Sequence, residues 1–463
     1  MLNDDILLGI FNCYRLDGDN GWNIQLGWRK LSHVCQRWQH LIYGCALYLG
    51  VHIKCTNGTP TLDALDHLPP LPLFINYGST LNSSGNYYET ILTDDDEFGI
   101  YHALQLHDRV RHIDLDLPTL LPSILHEVLV LMDKHFPILE HLSLSFAGEA
   151  SITLALPKAF LAPNLRHLSL FGIGLPKGLQ LLASTPCLVT LKLRNIENSS
   201  YFPPRLFITR LGSLPKLKEL SIGFSAPIPR LSTETERECL GEQEIPVTLP
   251  SLKIIWFEGV GTYLESLVAQ IRAPLLEHLH IASFHPVLAI PHLSYLVNTT
   301  EAFKAPSARI GFDRDKVYVT IIRDDSEWLE WEPFRFCVKC DQLDGQIDGA
   351  VQICHALIPA LSSVKQLTLY LDYWGTPIEY RNIAIASAKW HDLLRSFIGV
   401  KMLYINGWLS EELSRALQVD EVGSNPGFLP NLRFLHTWNN HMFTSFIETR
   451  QAVGRPVQLS RWY

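Results

Sequence analysis

Two cysteines have the spacing of a zinc half-site. Cys337 and Cys340 are separated by two residues in the segment CVKC, and the nearest further candidate ligands are Cys354 and His355. A structural zinc ion needs four ligands, and the segment that holds Cys354 and His355 has a helical apolar pattern. Residues i and i+3 of a strand also point to opposite faces. We therefore expect ordinary core cysteines here and predict no metal site.

A second pair, His278 and His280 in EHLHI, shares one face of a predicted strand and has the residue type of a metal ligand. No third ligand follows at a suggestive spacing, so we expect two surface histidines. The sequence also contains no Gly-x-Ser-x-Gly elbow, P-loop, Gly-x-Gly-x-x-Gly or His-Glu-x-x-His motif. These observations favour a protein that is not an enzyme and that carries no cofactor.

A sequence repeat defines the elements that must position such side chains. The pattern Pro-x-Leu-x-x-Leu-x-Leu begins at Pro137, Pro163, Pro186, Pro215, Pro250, Pro274 and Pro430, with looser copies at Arg109, Ser362 and Ile398. From Pro137 to Pro274, successive copies lie 26, 23, 29, 35 and 24 residues apart. These distances bracket the length of a leucine-rich repeat.

The final Leu-x-Leu of each copy predicts a short strand whose leucines face inward. Helix-like segments such as PSILHEVLVLMDKHF and DGAVQICHALIPAL lie between the strands, and each unit can bury its apolar face only against its neighbours. The predicted fold class is therefore α/β, with an irregular leucine-rich-repeat solenoid over residues 106–463 and a parallel β-sheet on its concave face. The pattern lapses over 291–361, where two β-like runs predict modified repeats in the same sheet.

The intervening strand positions face outward and are the candidate binding residues. Neutral, polar and aromatic side chains dominate there, which suits the recognition of another protein. The candidates for binding a target protein are Ser143, Ser169, Lys192, Arg194, Trp256, His280, Tyr370, Tyr404 and Trp438. For each aromatic residue, packing against a neighbouring ring or loop is an open alternative.

Two amphipathic helices are predicted ahead of the repeats. In WRKLSHVCQRWQHLIYG, from Trp28 to Gly44, the apolar residues follow the i, i+3, i+4, i+7 spacing of one helical face. Upstream, LNDDILLGIF repeats this spacing, with Asn3 as the expected N-cap and Asp4 and Asp5 in the first turn. We therefore predict a helical module over residues 1–50. Residues 51–105 then form a connector with one or two strands.

These two helices resemble the F-box, whose pattern runs Leu-Pro-x-Glu/Asp, an apolar stretch ending in Ile-Phe, and Leu-x-x-Val-Cys-x-x-Trp. Asp5 falls on this motif, and Asn3 stands where Pro is usual. The other motif positions are Leu2, Ile6, Leu7, Ile10, Phe11, Leu31, Val34, Cys35 and Trp38. The rest of the chain, to the ending RQAVGRPVQLSRW, is similar to a large group of fungal F-box proteins with degenerate leucine-rich repeats.

The resemblance implies a function. In that family the F-box binds a Skp-type adaptor of a cullin-based ubiquitin ligase, here through the nine motif residues other than Asp5, and the repeats hold the protein to be degraded. The alternative is a leucine-rich-repeat interaction scaffold with no ligase role, in which the opening helices form an internal cap. A module of about 45 residues is marginal as a free-standing core. In the first interpretation an adaptor covers part of its apolar face, and in the second the protein's own repeats do.

Composition and charge argue against nucleic acid and membranes as partners. The 463-residue chain has 47% hydrophobic and 18% charged residues and a formal net charge of −9, which argues against nucleic acid as a partner. No apolar run approaches the length of a membrane span, and the acidic N-terminus lacks the pattern of a signal peptide. We therefore expect an intracellular protein, cytoplasmic or nuclear, without membrane contact. Its nine cysteines are then expected as reduced thiols.

Overall fold

A computed structural model describes the chain over 2–16, 30–78, 80–81, 87–88, 92–116, 122–146, 154–176, 179–227, 246–285, 289–323, 332–340, 342–371, 387–406, 409–419 and 429–461. The chain forms two compact units. Unit 1 comprises Met1–Phe202 and Ser213–Leu217, and unit 2 comprises Pro203–Gly212 and Lys218–Tyr463. Within these described ranges, no helix is long and apolar enough to cross a membrane.

Unit 1 begins with helices and continues as an α/β structure. Its helices are α1 (Asp4–Leu16), α2 (Gln36–Gly44), α3 (Ala46–Leu49), α4 (Thr61–His67), α5 (Asp94–Gln105), α6 (Pro122–Leu131) and α7 (Gln180–Ala183). Its strands are β1 (Ile53–Thr56), β2 (Leu73–Tyr77), β3 (Thr80–Leu81), β4 (Tyr87–Tyr88), β5 (Val110–Asp116), β6 (His141–Ser145), β7 (Leu154–Ala155), β8 (His167–Phe171), β9 (Ile173–Gly174) and β10 (Thr190–Ile196). A 3₁₀ helix spans Asn198–Ser200.

The main sheet of unit 1 is parallel throughout, in the order β1-β2-β5-β6-β8-β10. Its strands follow the predicted alternation. Leu142 and Leu144 of β6 are buried, whereas Ser143 between them is half-buried on the other face. The leucines thus form the core side of the sheet, and the polar residues between them form a second face. The prediction of an α/β fold with parallel strands is confirmed for this unit.

The segment expected as a connector, residues 51–105, belongs to this architecture. It supplies β1 and β2, the first two strands of the sheet, together with α4, α5 and the short pair β3–β4. The acidic run at its end forms the first turn of α5, where the helix dipole favours negative charge. Thr93 and Asp96 form a capping box at this helix start, and Asp96 also accepts a hydrogen bond from Gly58 N. Because these strands lack the repeat's leucine spacing, the repeat pattern did not reveal them.

The turn before the strand contains an asparagine in two repeats. In the segments PNL at Pro163 and at Pro430, the Asn164 side chain donates to Pro137 O at 2.7 Å and the Asn431 side chain donates to Ile398 O at 2.9 Å. Each acceptor occupies the corresponding turn of the preceding repeat. Each bond satisfies a turn carbonyl of the preceding repeat.

Unit 2 contains the remaining elements. Its helices are α8 (Pro204–Leu211), α9 (Gly261–Gln270), α10 (Pro291–Thr299), α11 (Leu343–Ala356), α12 (Ile358–Leu361), α13 (Ser387–Leu394), α14 (Leu409–Val419) and α15 (Thr444–Ala452), with 3₁₀ helices at Glu301–Phe303 and Asn440–Phe443. Its strands are β11 (Glu219–Phe224), β12 (Val247–Thr248), β13 (Ile254–Gly259), β14 (Ile271–Arg272), β15 (His278–Ser283), β16 (Ser307–Phe312), β17 (Lys316–Ile322), β18 (Phe334–Lys339), β19 (Gln366–Leu371), β20 (Met402–Ile405), β21 (Phe434–Thr437) and β22 (Gln458–Arg461).

The sheet of unit 2 has the order β11-β13-β15-β18-β17-β16-β19-β20-β21-β22 and contains one antiparallel strand. β17 runs antiparallel to β16 and to β18, whereas the other pairs are parallel. The cause lies in the connection between β16 and β17, which is only Asp313 to Asp315. A parallel crossover needs a dozen or more residues, so this short turn makes a hairpin. The strands expected within 291–361 do lie in the same sheet as the other strands of the unit, whereas the expectation of a wholly parallel sheet was wrong at β17.

Candidate functional site

The nine predicted adaptor-binding residues divide into an exposed and a buried group. Leu2, Ile6, Ile10 and Val34 are exposed at 52%, 51%, 49% and 59% of their surface, and Cys35 is also exposed. Leu7 and Phe11 are buried at 4% and 1%, and Leu31 and Trp38 are half-buried. Ile6 and Ile10 lie one turn apart on α1, so the exposed group includes an apolar helical stripe.

The buried group holds the two helices together. The rings of Phe11 and Trp38 meet edge to face with centroids 5.0 Å apart. Beside them, Arg37 donates to Asp4 Oδ1 through its Nε at 3.0 Å and through a terminal nitrogen at 2.6 Å, and it also donates to Leu2 O. Asn3 caps α1 as predicted, because its side chain accepts a hydrogen bond from Asp5 N at 3.3 Å.

The polar face of the unit 1 sheet brings four of the predicted target-binding residues together. Ser143 on β6, Ser169 on β8, and Lys192 and Arg194 on β10 line one depression of about 380 Å³. Strand register places Ser143 beside Ser169 and Ser169 beside Lys192. The parallel register therefore turns alternate positions of separate repeats into one continuous surface.

This depression, which we call the polar depression, has charges of opposite sign at its two ends. Asp114 and Asp116 of β5 lie at one end, and Lys192 and Arg194 of β10 lie at the other. Three strand spacings separate β5 from β10, which is about 14 Å at ~4.8 Å per spacing. The Ser143 hydroxyl lies between the two ends. An extended ligand with charges of both signs would be complementary to this surface.

A row of rings crosses the same sheet face next to the polar depression. His52 stacks on Phe74 at 3.7 Å, Phe74 on His112 at 5.1 Å, and His112 on His141 at 4.1 Å. His167 continues the row beyond His141 and hydrogen-bonds through Nδ1 with Thr190 Oγ1 at 3.2 Å. Burial, reinforced by the neighbouring histidines, lowers the pKa of His112 to about 3. Burial also lowers the pKa of His141, so both rings are neutral at pH 7.

Sequence reasoning missed His112 and Asp114. The segment RVRHIDL at Arg109 was recognised as a looser repeat, and its alternation places both side chains on the polar face of β5. The register then pairs His112 with His141 of the next repeat. The imidazole nitrogens of the two histidines and a carboxylate oxygen of Asp114 lie within 4.8 Å of one another. A His-x-Asp on a predicted strand beside a His-bearing strand was the signal that could have found this group.

In unit 2, the predicted target-binding residues contact other side chains of their own unit. The Tyr370 hydroxyl oxygen accepts a hydrogen bond from the Tyr318 hydroxyl at 2.7 Å, and the Tyr404 ring stacks on His436 with centroids 4.3 Å apart. Trp256 is half-buried. Its ring packs closely over Gly223 in the neighbouring strand, because a Cβ added to that glycine would lie 3.0 Å from the ring. Trp438 differs from these residues, because 60% of its surface is exposed.

The two pairs with metal-ligand spacing, His278 with His280 and Cys337 with Cys340, make other contacts in the structure. His280 Nε2 and His278 Nδ1 lie 2.8 and 3.3 Å from the same carbonyl oxygen, that of Glu332. Cys337 lies on the outer face of β18 and Cys340 follows that strand. Both are half-buried, so the expectation of core positions was wrong. Burial raises the pKa of the Cys337 thiol to about 11, and the Cys340 thiol donates to Gln342 O at 3.7 Å.

No family model matches the chain, and a search of curated proteins finds no match. The assignment of a function therefore depends on the exposed stripe of α1 and on the polar face of the unit 1 sheet.

Proposed function

We propose that the protein is a substrate-recognition subunit of a cullin-based ubiquitin ligase. Its N-terminal helices, taken as an F-box module, bind a Skp-type adaptor, and its repeats, taken as a leucine-rich-repeat solenoid, bind a target protein. The protein itself catalyses no reaction, because it acts by holding the target at high effective concentration near a ubiquitin-loaded enzyme. An intracellular location, cytoplasmic or nuclear, follows from this role.

The exposed apolar stripe supports the adaptor half of this proposal. Ile6 and Ile10 of α1 and Val34, which precedes α2, are each about half exposed or more. Leu7 and Phe11 of α1 are instead buried, and Phe11 contacts Trp38 of α2. Exposed apolar residues grouped on one module are typical of a protein-binding surface. The exposed members belong to the F-box motif, which is why we assign a Skp-type adaptor to this stripe.

A binding experiment with purified adaptor tests this half. We expect the full-length chain to bind a recombinant Skp-type adaptor, and the Ile10→Asp, Val34→Asp double variant to bind at least tenfold more weakly. Because both side chains are exposed, the variant should keep its fold, which circular dichroism checks. Gln39→Asp is the matched control, since Gln39 is an exposed polar residue of α2. Absence of wild-type binding, or equal binding of the double variant, would refute the assignment.

The polar depression supports the target-binding half. Its acidic end and its basic end lie about 14 Å apart across strands spaced by ~4.8 Å. An extended peptide covers that span in about four residues at ~3.3–3.6 Å each. We therefore propose that the target presents an extended segment with a basic residue and an acidic residue about four positions apart.

A peptide panel tests the target half separately. Each fluorescent probe carries one Arg and one Glu separated by one to six Gly or Ser residues. We expect the tightest binding at about three intervening residues, and weaker binding to Lys192→Glu, Arg194→Glu protein. Lys158→Glu is the control, since Lys158 is exposed outside the polar depression. Binding that ignores the spacing, or that is equal in the double variant and the control, would refute this site.

The scaffold alternative also has an observation in its favour. Ile42 and Leu49, from α2 and α3, are fully buried in unit 1, and Arg111 of β5 donates to Leu47 O at 3.5 Å. If the helices serve only as a cap, deletion of residues 1–46 should strongly destabilise unit 1 and the full chain should not bind the adaptor. If they form an adaptor module, the remaining chain should melt nearly as the intact chain does.

A further inference from the structure

Three titratable side chains converge on the polar face of unit 1 without forming hydrogen bonds. His112 and Asp114 are two residues apart on β5, so they share a face, and His141 on β6 is the register partner of His112. A nitrogen of each ring and a carboxylate oxygen lie within 4.8 Å of one another. Within the described part of the chain, none of the three side chains has a hydrogen-bond partner. Two imidazole nitrogens and one carboxylate oxygen this close together, with no hydrogen bonds holding them, can be drawn onto a single metal ion.

We propose that His112, His141 and Asp114 form an open three-ligand site for a divalent transition-metal ion, with Zn²⁺ as the representative case. Two imidazoles and one carboxylate are a ligand set typical of Zn²⁺ and its transition-metal neighbours. Mg²⁺ and Ca²⁺ prefer oxygen ligands throughout. The site shares Asp114 with the acidic end of the polar depression, but its test is metal binding to the chain alone, which does not depend on the proposed ligase function.

Binding requires a small rearrangement of the rings. The two imidazoles are now nearly parallel, at 9°, with centroids 4.1 Å apart, and nitrogen lone pairs in parallel planes do not converge on one point. Ligand atoms around one Zn²⁺ lie roughly 3.4 Å apart when each bond is ~2.1 Å. One ring must therefore turn about its Cβ–Cγ bond, a torsion with a broad energy profile. This rotation gives up the stacking contact between the two imidazoles.

The surroundings of the group leave one coordination position accessible. Asp114 lines the polar depression together with Asp116 and Asn76, so the ion would be reached from solvent at the acidic end. The additional carboxylate of Asp116 favours a cation there. Three protein ligands leave at least the fourth tetrahedral position to water or to a donor atom of a bound molecule. His167 is not part of the ligand set, because the group of ligand atoms that lie within 4.8 Å of one another comprises His112, Asp114 and His141.

Metal titration of the chelator-treated full chain tests the site. Calorimetry with Zn²⁺ and absorption spectroscopy with Co²⁺ should show one ion bound to the wild type. The test variants are His112→Phe, which keeps a planar ring in the stack between Phe74 and His141, and the isosteric Asp114→Asn. Each should weaken Zn²⁺ binding by about tenfold or more, since even outer groups of metal sites contribute 10–100-fold.

His167→Phe is the matched control, because it changes the next ring of the same row and should leave the affinity unchanged. The metal-free melting temperature of each variant shows whether the fold is intact. Equal Zn²⁺ affinity of the wild type and both test variants would overturn the proposal, as would a wild type that binds no ion. A loss in His167→Phe as large as in His112→Phe would overturn the assigned ligand set.

Discussion

The polar sheet faces of the two units are built from the same alternation but are used differently. In unit 2, Tyr318 and Tyr370 are hydrogen-bonded to each other, and the Arg335 guanidinium lies 4.4 Å from the Tyr318 ring centroid. In unit 1, His112, Asp114 and His141 converge without such bonds. Polar side chains that hydrogen-bond to each other stabilise the fold. Titratable side chains that lie close together without hydrogen bonds between them can instead hold a ligand.

The antiparallel strand of unit 2 accounts for much of this difference. β17 lies between β16 and β18, where Tyr318 is the register partner of Gly311, whose next partner across the sheet is Tyr370. Tyr318 therefore meets the Tyr370 hydroxyl on one side and the Arg335 guanidinium on the other. In unit 1, the neighbours from β5 to β10 come from equivalent repeat positions, and like residues fall in rows: histidines in one row, serines and charged residues in the next. Regular repeats thus align like side chains in rows, whereas the hairpin of β16 and β17 brings Tyr318, Tyr370 and Arg335 into one packed cluster.

The largest expected effect on stability concerns the buried leucine face that the sheet of each unit has. Leu142 of β6 and Leu369 of β19 are both fully buried. Replacing either by Ala should cost about 2–5 kcal/mol of unfolding free energy, because a cavity adds to the lost transfer energy. Chemical denaturation measures this. Ser143→Ala, the outward neighbour of Leu142, should stay within ~0.5 kcal/mol, and an equal loss there would contradict the assignment of the two faces.

A glycine that makes room for the unit 2 cluster should give the next largest effect. A Cβ on Gly311 would lie 2.3 Å from Cζ of Tyr318. Gly311→Ala should therefore displace the Tyr318 ring and cost about 1–3 kcal/mol, measured by denaturation. Gly261→Ala is the control, because nothing lies within 4 Å of its added Cβ. If both variants are equally stable, the packing around Tyr318 is looser than described.

The hydroxyl of Tyr318 offers a smaller and more direct test of the comparison. Tyr318→Phe removes the hydrogen bond to Tyr370 and should cost about 0.5–1.5 kcal/mol. The corresponding outward change in unit 1, Ser169→Ala, should stay within ~0.5 kcal/mol. A double-mutant cycle with Tyr370→Phe should recover the coupling between the two hydroxyls. A larger loss in Ser169→Ala than in Tyr318→Phe would reverse the contrast between the units.

The smallest effect concerns pH. Burial holds the pKa of His280 below its ordinary value of 6.5, with Arg335 and His278 adding repulsion, although its bond to Glu332 O acts in the opposite direction. The unfolded chain therefore takes up the proton first as the pH falls. The stability contribution is complete above pH 6.5 and is lost as the pH falls from there toward the folded pKa. His280→Gln should lose less stability between pH 7 and pH 5 than the wild type, and an equal loss would contradict this burial effect.

Local sequence signals predicted those features that depend on neighbouring residues. The Leu-x-Leu alternation predicted the buried leucines of β6 and β8, Asn3 was expected as the cap of α1, and the helical pattern predicted α11. These features follow from periodicity and capping, which act over a few residues. The outward positions of Ser143, Ser169, Lys192 and Arg194 were predicted for the same reason.

The tertiary structure decided what those outward side chains meet. Only the register between strands brings Asp114 and Lys192 to opposite ends of one depression, and only that register places His141 against His112. The hairpin at Asp313 to Asp315 decided that Tyr318 would meet Tyr370. Alternation along a strand is a local property of the backbone, whereas neighbours across the parallel strands of the main sheets are separated by 20 residues or more of chain. Local sequence therefore determines the first, and the packing of the whole unit decides the second.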